Sequence, residues 1–418
     1  MERIALSIPK VLKGEVKLPL SKSECNRLLV IRAITGTKVP VPQISDAEDT
    51  VSLRRILEQL ETHTDGDTYD VGPAGTAMRF LSAYLSSIPG VFHLTGTARM
   101  KQRPIGILVK ALQQLGADIE FPEKEGFPPL KIFGGPLTGG EIEMDGSVSS
   151  QFVSALLMIA PTMHKGIVIR FKGPIVSRPY IDMTIRIMER FGVSPVWDGD
   201  TLSVSSQQYL VDDKEEQFRL EPDWSAASYW YSMVALADEA DIFLPGLHKN
   251  SMQADSVCAL LFPFLGVTST FEANGVRLTK NGYRPNAFAF DFEDSPDIVQ
   301  TVAVTAAALK IPTLMCGLNT LRVKETDRIA ALKNELAKIG VKCEEPAAGL
   351  LDIRSFDGKT VSPLTISTYD DHRMAMAFAP LAIKHPGIVI ENPGVVKKSY
   401  PGFWEEVKRV GGKMQPGT

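Results

Sequence analysis

Ser147-Val-Ser-Ser-Gln-Phe-Val-Ser-Ala-Leu-Leu-Met158 passes within a few residues from hydroxyls and an amide to a helix-length apolar run. Hydroxyl side chains suit the exposed N–H groups of a helix start. The run behind them is apolar around most of its circumference, the mark of a helix buried on all sides. Five other segments share the pattern: Ser21-Lys-Ser-Glu-Cys-Asn-Arg-Leu-Leu-Val30, Gly75-Thr-Ala-Met-Arg-Phe-Leu-Ser-Ala83, Asp223-Trp-Ser-Ala-Ala-Ser-Tyr-Trp-Tyr231, Ser295-Pro-Asp-Ile-Val-Gln-Thr-Val-Ala-Val-Thr-Ala-Ala-Ala308 and Asp370-Asp-His-Arg-Met-Ala-Met-Ala-Phe-Ala379. After a shorter first step their starts recur about every 72 to 76 residues. That period is too long for common solenoid repeats and long enough for several elements per unit.

Alternating strand-like runs lie between these segments, among them Gly166-Ile-Val-Ile-Arg-Phe171 and Gly387-Ile-Val-Ile-Glu391. Amphipathic helices intervene too, such as Ile105-Gly-Ile-Leu-Val-Lys-Ala-Leu-Gln-Gln-Leu-Gly116, which ends at a Gly suited to a helix C-terminus. Strands and helices mixed at this density predict an α/β or α+β architecture. A chain of 418 residues exceeds one ordinary core, so two domains are expected. Hydrophobic content of 44% with 22% charge is that of a globular protein.

Forty-five Lys and Arg stand against 49 Asp and Glu, a formal charge of −4 with a pI near 6.0. A nucleic-acid binder of this size would show a basic excess, so any anion site must be local, with cations gathered in a cleft. The first residues lack the apolar core of a secretory signal, and no run approaches the roughly 18 apolar residues that span a bilayer. Cys25, Cys258, Cys316 and Cys343 form no CxxC pair, which points to reduced thiols in a cytoplasmic protein. The six histidines show no ligand spacing, and no metal or cofactor is expected.

Several helix starts carry charge that capping does not require. Ser23 and Arg27, four apart, share a helical face. Lys22 falls in a first turn, where a cation is disfavoured unless an anion answers it. Gly75 lets a ligand approach the backbone closely, with Arg79 one turn inside. Asp145-Gly-Ser-Val-Ser-Ser-Gln-Phe152 offers three hydroxyls and an amide where capping needs one, and Ser177-Arg-Pro-Tyr180 could add a hydroxyl and a ring. The loop Arg99-Met-Lys-Gln-Arg-Pro104 is either an exposed basic turn or a ligand loop. Arg322-Val-Lys-Glu-Thr-Asp-Arg328 is either a solvated face or, if it begins a helix, a site with Lys324 and Arg328 on one side and Glu325 beside them. Arg373 opens a core helix and needs an anionic partner. Asp297 lies at the start of another, as an ordinary first-turn Asp also would. Lys397 and Lys398 form a last cationic turn. Any one of these starts could be a plain cap; six in series, several beside a Lys or Arg, favour a shared anion site.

Taken in order, SKSxxNR, GTAMR, ARMKxRPI, DGSVSSQF, RVKETDR and DDHRMAM, spread from about Glu15 to Phe403, closely resemble the 5-enolpyruvylshikimate-3-phosphate synthase family of enolpyruvyl transferases. The resemblance implies two similar domains, each of three βαβαββ repeats (an inside-out α/β barrel), with a ligand cleft between them. Their expected bounds are 19–221, and 1–18 plus 222–418. It implies shikimate 3-phosphate held by Lys22, Ser23, Arg27, Ser149, Ser150, Gln151, Ser177, Tyr180, Asp297 and Lys324. It implies phosphoenolpyruvate held by Lys22, Gly75, Arg99, Gln151, Arg328, Arg373 and Lys398. Asp297 and Glu325 fall on the family's catalytic carboxylates: Asp297 accepts the proton of the 5-hydroxyl, and Glu325, with Lys22, carries a proton to the methylene carbon. No nucleic acid, membrane or cofactor enters, and a monomer is expected. The retained Gly75 further implies sensitivity to glyphosate, competing with phosphoenolpyruvate.

Three positions depart from the family pattern. Pro73 stands where many relatives have Asn, Thr320 where several have Asn, and Arg178 where Lys is frequent. The sister enzyme that uses UDP-N-acetylglucosamine is the alternative; it carries a loop Cys that the Arg99–Pro104 region lacks. An RNA-end-processing protein of similar repeats would want a basic groove and a nucleophilic His.

Overall fold

The computed structural model describes residues 2–37, 41, 43–212, 219–356 and 358–417. The chain divides into two compact units, Leu20–Leu220 and, from both ends of the chain, Met1–Pro19 with Glu221–Thr418. The first strands, β1 (Arg3–Ser7) and β2 (Val11–Glu15), belong to the second of these.

In Leu20–Leu220, α1 (Lys22–Thr35) and α2 (Glu48–Gln59) come first. A six-element unit follows: β3 (Asp67–Asp70), α3 (Gly75–Ser86), β4 (Gly90–Thr95), α4 (Gly106–Gln114), β5 (Asp118–Glu120) and β6 (Leu130–Gly134). It is repeated by β7 (Gly140–Asp145), α5 (Ser150–Ile159), β8 (Ile167–Lys172), α6 (Arg178–Arg190), β9 (Val196–Asp198) and β10 (Thr201–Val204). The sheets are ordered β3-β4-β6-β5 and β7-β8-β10-β9. In each, the first two strands run parallel across a helix and the last two close antiparallel.

The other unit repeats this plan three times. Its first repeat is β2, α7 (Trp224–Leu236), β11 (Glu239–Pro245), α8 (Cys258–Leu261), β12 (Val267–Glu272) and β13 (Gly275–Lys280). The second is β14 (Phe288–Asp291), α9 (Val299–Leu309), β15 (Thr313–Cys316), α10 (Arg328–Ala337), β16 (Lys342–Glu344) and β17 (Leu351–Ser355). The third is β18 (Thr365–Ile366), α11 (His372–Phe378), β19 (Ile388–Glu391), α12 (Phe403–Arg409) and β20 (Lys413–Pro416), completed by β1. β1 pairs antiparallel with β19 and β20, and β2 lies parallel to β11, so the chain's start fills a place in two sheets. The fold is a two-domain α/β one; among the described residues each of the five sheets has four strands and none closes on itself.

The strands show why the helices are central. β7 and β8 alternate buried and more exposed residues, so one face packs inward and the other meets water. The inward layer is α1, α3 and α5, touching one another, in one unit, and α7, α9 and α11 in the other. Every residue of α7 except Ser225 is buried, including Trp224, Tyr229, Trp230 and Tyr231. Small residues let these helices approach closely, and their hydroxyls pair across the contact. Ser228 Oγ lies 3.0 Å from Thr301 Oγ1, and Thr305 Oγ1 donates to Ser232 Oγ at 2.7 Å. Paired hydroxyls escape the desolvation cost of lone ones. No helix among the described residues is long and apolar enough to cross a membrane.

Gly166, where the chain enters β8, has φ +63, and an added Cβ would overlap the Val204 backbone carbonyl of β10. Both the left-handed backbone and the collision oppose a side chain. Gly166→Ala is expected to cost about 2 kcal/mol or more, read as a lower urea midpoint of the first unfolding transition.

Candidate active site

In Leu20–Leu220 the starts of the central helices carry the polar groups. Ser21 caps α1, its Oγ accepting from Glu24 N at 3.4 Å. Lys22 follows at the first helical position, and the anion that answers it is Asp49 of α2: Nζ to Oδ2 is 2.9 Å, with both side chains largely buried. The other Asp49 oxygen and both amide atoms of Asn26 are buried with no hydrogen-bond partner among the described residues. Sequence reading missed Asp49, since its partner is 27 residues away and on another helix.

Arg27, one turn beyond Ser23, is buried at 2% exposure. It donates to Thr184 Oγ1 (2.7 Å), Ser23 O (2.8 Å), Ser154 Oγ (3.1 Å) and Tyr180 O (3.1 Å), and lies 5.4 Å from the Phe80 ring centroid. All four acceptors are uncharged oxygens. Burial lowers its pKa to about 10, against the opposing pull of Tyr180 and Glu24, so it remains a cation at neutral pH.

Ser149 caps α5, accepting from Gln151 N at 3.3 Å, and Ser150 is buried as the first helical residue. Gln151 Nε2 donates to Thr76 Oγ1 at 3.1 Å, tying the start of α5 to that of α3. Ser177, buried, occupies the position just before α6 in a left-handed conformation (φ 53). Gly75 begins α3 without a side-chain cap. The Arg103 guanidinium lies against it, so close that a Cβ at Gly75 would overlap it. Arg99 is exposed and donates to Gln102 Oε1 at 3.4 Å within its own turn. The structure therefore brings Arg103, not the expected Arg99, to the start of α3. A 3-10 turn at Met100–Gln102 separates the two, a bend that residue spacing does not reveal.

In the other unit the charges form one network. Asp297 sits in the 3-10 turn Pro296–Ile298 that leads into α9. Its Oδ2 is 2.7 Å from Arg373 NH2, and its Oδ1 is 3.3 Å from Arg328 NH1 and 3.9 Å from Lys324 Nζ. Arg328, 1% exposed, also donates to Glu325 Oε2 (3.0 Å) and Asp371 Oδ2 (2.8 Å). Lys398 Nζ donates to Glu325 Oε1 at 2.7 Å. Arg373 reaches Tyr229 on α7 at 3.4 Å. Burial pulls the Arg328 pKa down, but Asp371, then Glu325 and Asp297, outweigh it and hold Arg328 more firmly protonated than a free guanidinium. Of the two readings of Arg322–Arg328, the one with a helix carrying Lys324 and Arg328 on one face is not met: α10 begins only at Arg328, capped by Asp327, and Lys324 lies in extended backbone before it. The Asp327 side chain accepts from Ala330 N, which fixes the helix start at Arg328.

Asp255 was also missed. It is 3% exposed; one oxygen accepts from Ser225 Oγ at the start of α7, and the other has no partner among the described residues. Burial, then the negative charge of Asp297, pushes its pKa from 3.8 up to about 7, against Arg373 and Ser225, with Asp223 adding a smaller upward push. Unfolded, Asp255 ionises near 3.8; folded, it resists until about 7. Below the first value both states hold the proton. Between the two values the unfolded state gains ionisation that the folded state refuses, so stability falls as pH rises. Asp255→Asn removes this penalty, and its melting temperature relative to the parent is expected to climb between these two pH values; a constant difference across a pH series would contradict it.

The comparisons with known proteins agree with one another. The family model described as EPSP synthase (3-phosphoshikimate 1-carboxyvinyltransferase) matches residues 6–407. A 3-phosphoshikimate 1-carboxyvinyltransferase of Bacteroides fragilis is 48% identical over 415 residues, 98% of each chain. One of Photobacterium profundum is 37% identical, covering 97% of this chain and 98% of that one. The solved EPSP synthase of Acinetobacter baumannii superposes with a TM-score of 0.75 at 22% identity, over 99% of this chain and 100% of that one, a likeness of fold. With its profile matched almost end to end and its six helix starts in place, the chain belongs to the EPSP synthase family.

Proposed function

We propose that this enzyme transfers the enolpyruvyl group of phosphoenolpyruvate to the 5-hydroxyl of shikimate 3-phosphate and releases phosphate. The observation that carries this reading is the network in which Asp297 and Glu325, two carboxylates suited to moving protons, are fixed by Lys324, Arg328, Arg373 and Lys398. Substrates with two phosphates and two carboxylates demand such a cationic surround.

Asp297 takes the proton of the attacking hydroxyl as its oxygen bonds to C2 of phosphoenolpyruvate. Glu325, bridged to Lys398, delivers a proton to the methylene carbon, with Lys22 assigned to the same step. The tetrahedral adduct then returns the methyl proton to the Glu325 carboxylate as the C2–O bond to phosphate breaks; phosphate leaves with the proton that Asp297 took, and the double bond is restored. Shikimate 3-phosphate is assigned to Lys22, Ser23, Arg27, Ser149, Ser150, Gln151, Ser177, Tyr180, Asp297 and Lys324. Phosphoenolpyruvate is assigned to Lys22, Gly75, Gln151, Arg328, Arg373 and Lys398, with Arg103 taking the place first given to Arg99; glyphosate would compete there. The enzyme acts as a cytoplasmic monomer in this reading. Relatives that carry the 3-phosphoshikimate name do not favour UDP-N-acetylglucosamine as acceptor.

Phosphate release with both substrates tests the reaction, and UDP-N-acetylglucosamine as sole acceptor is expected to give none. Asp297→Asn should lower kcat at least about 100-fold, the scale of a general base; retention within a few-fold would move the base elsewhere. Arg103→Met should raise the phosphoenolpyruvate KM about 10-fold or more, the loss of one charge-assisted contact, while Arg99→Met leaves it nearly unchanged. The reverse ranking would return the role to Arg99.

A further inference from the structure

Arg373 is the second residue of α11, which is only seven residues long, so the turn before it sets where the guanidinium sits. That turn contains Tyr369 and Asp370, both with φ 54. Among the described residues five non-glycines have positive φ, and these are the one adjacent pair. An L-residue resists this backbone, an aromatic one more than Asp. Surrounding structure must therefore hold it.

Two contacts do so. Tyr369 Oη donates to Glu335 Oε1 at 2.8 Å, and Asn392 Nδ2 donates to Asp370 Oδ1 at 2.7 Å. Glu335 is fully buried, its other oxygen accepting from Lys338 Nζ (2.7 Å) and Ser367 N (3.1 Å). Glu335 and Arg328 are seven residues apart on α10, two turns and so on one face. The same rigid helix thus grips the turn twice, through Glu335 at Tyr369 and through Arg328 at Asp371. Asp371 N closes onto Thr368 O at 2.9 Å, and Asp371 Oδ1 caps Arg373 N at 2.9 Å. Rotating Tyr369 or Asp370 to a negative φ would swing Asp371 out from under Arg328 and carry Arg373 away from Asp297.

We propose that Tyr369-Asp370 is a strained clamp, with Glu335 and Asn392 as positioning residues that fix Arg373 and Asp371 for phosphoenolpyruvate binding. The proposal rests on the assignment of Arg373 to that substrate.

Three variants test it in the full chain. Tyr369→Phe deletes only the hydroxyl. Asp370→Ala deletes the Asn392 contact, and Asp370→Asn keeps both an acceptor oxygen and tolerance of left-handed backbone. Tyr369→Phe and Asp370→Ala should each raise the phosphoenolpyruvate KM about 5- to 10-fold, the effect of one lost hydrogen bond to a charged group. The kcat and the shikimate 3-phosphate KM should stay within about 3-fold, and Asp370→Asn within about 2-fold of the parent throughout. An active parent whose two disabling variants keep the phosphoenolpyruvate KM while Tm falls overturns the clamp alone, leaving a structural turn. Failure of Asp370→Asn to restore what Asp370→Ala loses also overturns it. A parent inactive with both substrates overturns the functional reading and the clamp with it.

Discussion

A guanidinium buried to 1% exposure cannot stand alone, and Arg328 meets Asp297, Glu325 and Asp371 at once. Breaking one partner of such a pair strands a charge in a low-dielectric interior. The three carboxylates come from three places in the chain: the turn before α9, the bend before α10 and the cap of α11. Satisfying one cation therefore fixes three helix starts relative to one another. The apolar bodies of α7, α9 and α11 are buried in the same hydrophobic core, but that packing is directionless. The ion network gives the starts their register.

The two units solve the same electrostatic problem differently. Arg27 is held by uncharged oxygens, keeps its charge and is eased below its usual pKa by burial. Arg328 and Arg373 are already balanced by carboxylates of their own unit. Under the proposed function, an anion reaching Arg27 adds a carboxylate or phosphate contact where the hydrogen-bond acceptors are neutral, whereas one reaching Arg373 competes with Asp297. That competition suits a carboxylate that must be released to act on a proton.

Sequence reading identified the cations and underestimated the carboxylates around them. Lys22 in a first turn and Arg373 at the mouth of a core helix each called for an anion. The structure supplies Asp49 and Asp297 from the chain itself. Asp255, Asp371 and Glu335 carry no local signal as partners, because each meets its counterpart through packing of separate elements. The resemblance gave the basic loop's ligand role to Arg99, but a 3-10 turn leaves Arg99 exposed and lays Arg103 against Gly75.

The six helix starts, their apolar bodies and the alternating strands were written in local periodicity, because a 3.6-residue or two-residue repeat records burial directly. Those patterns were enough to give the α/β class, the repeat and most of the cations. Which strands complete which sheet was decided only in three dimensions, since β1 and β2 pair with strands more than 200 residues away. So were the start of α10 and the left-handed turn at Tyr369-Asp370. The reason is common to all of these: a hydrogen bond or ion pair between distant elements depends on where packing delivers both partners, and neither partner's neighbours in the chain record that position.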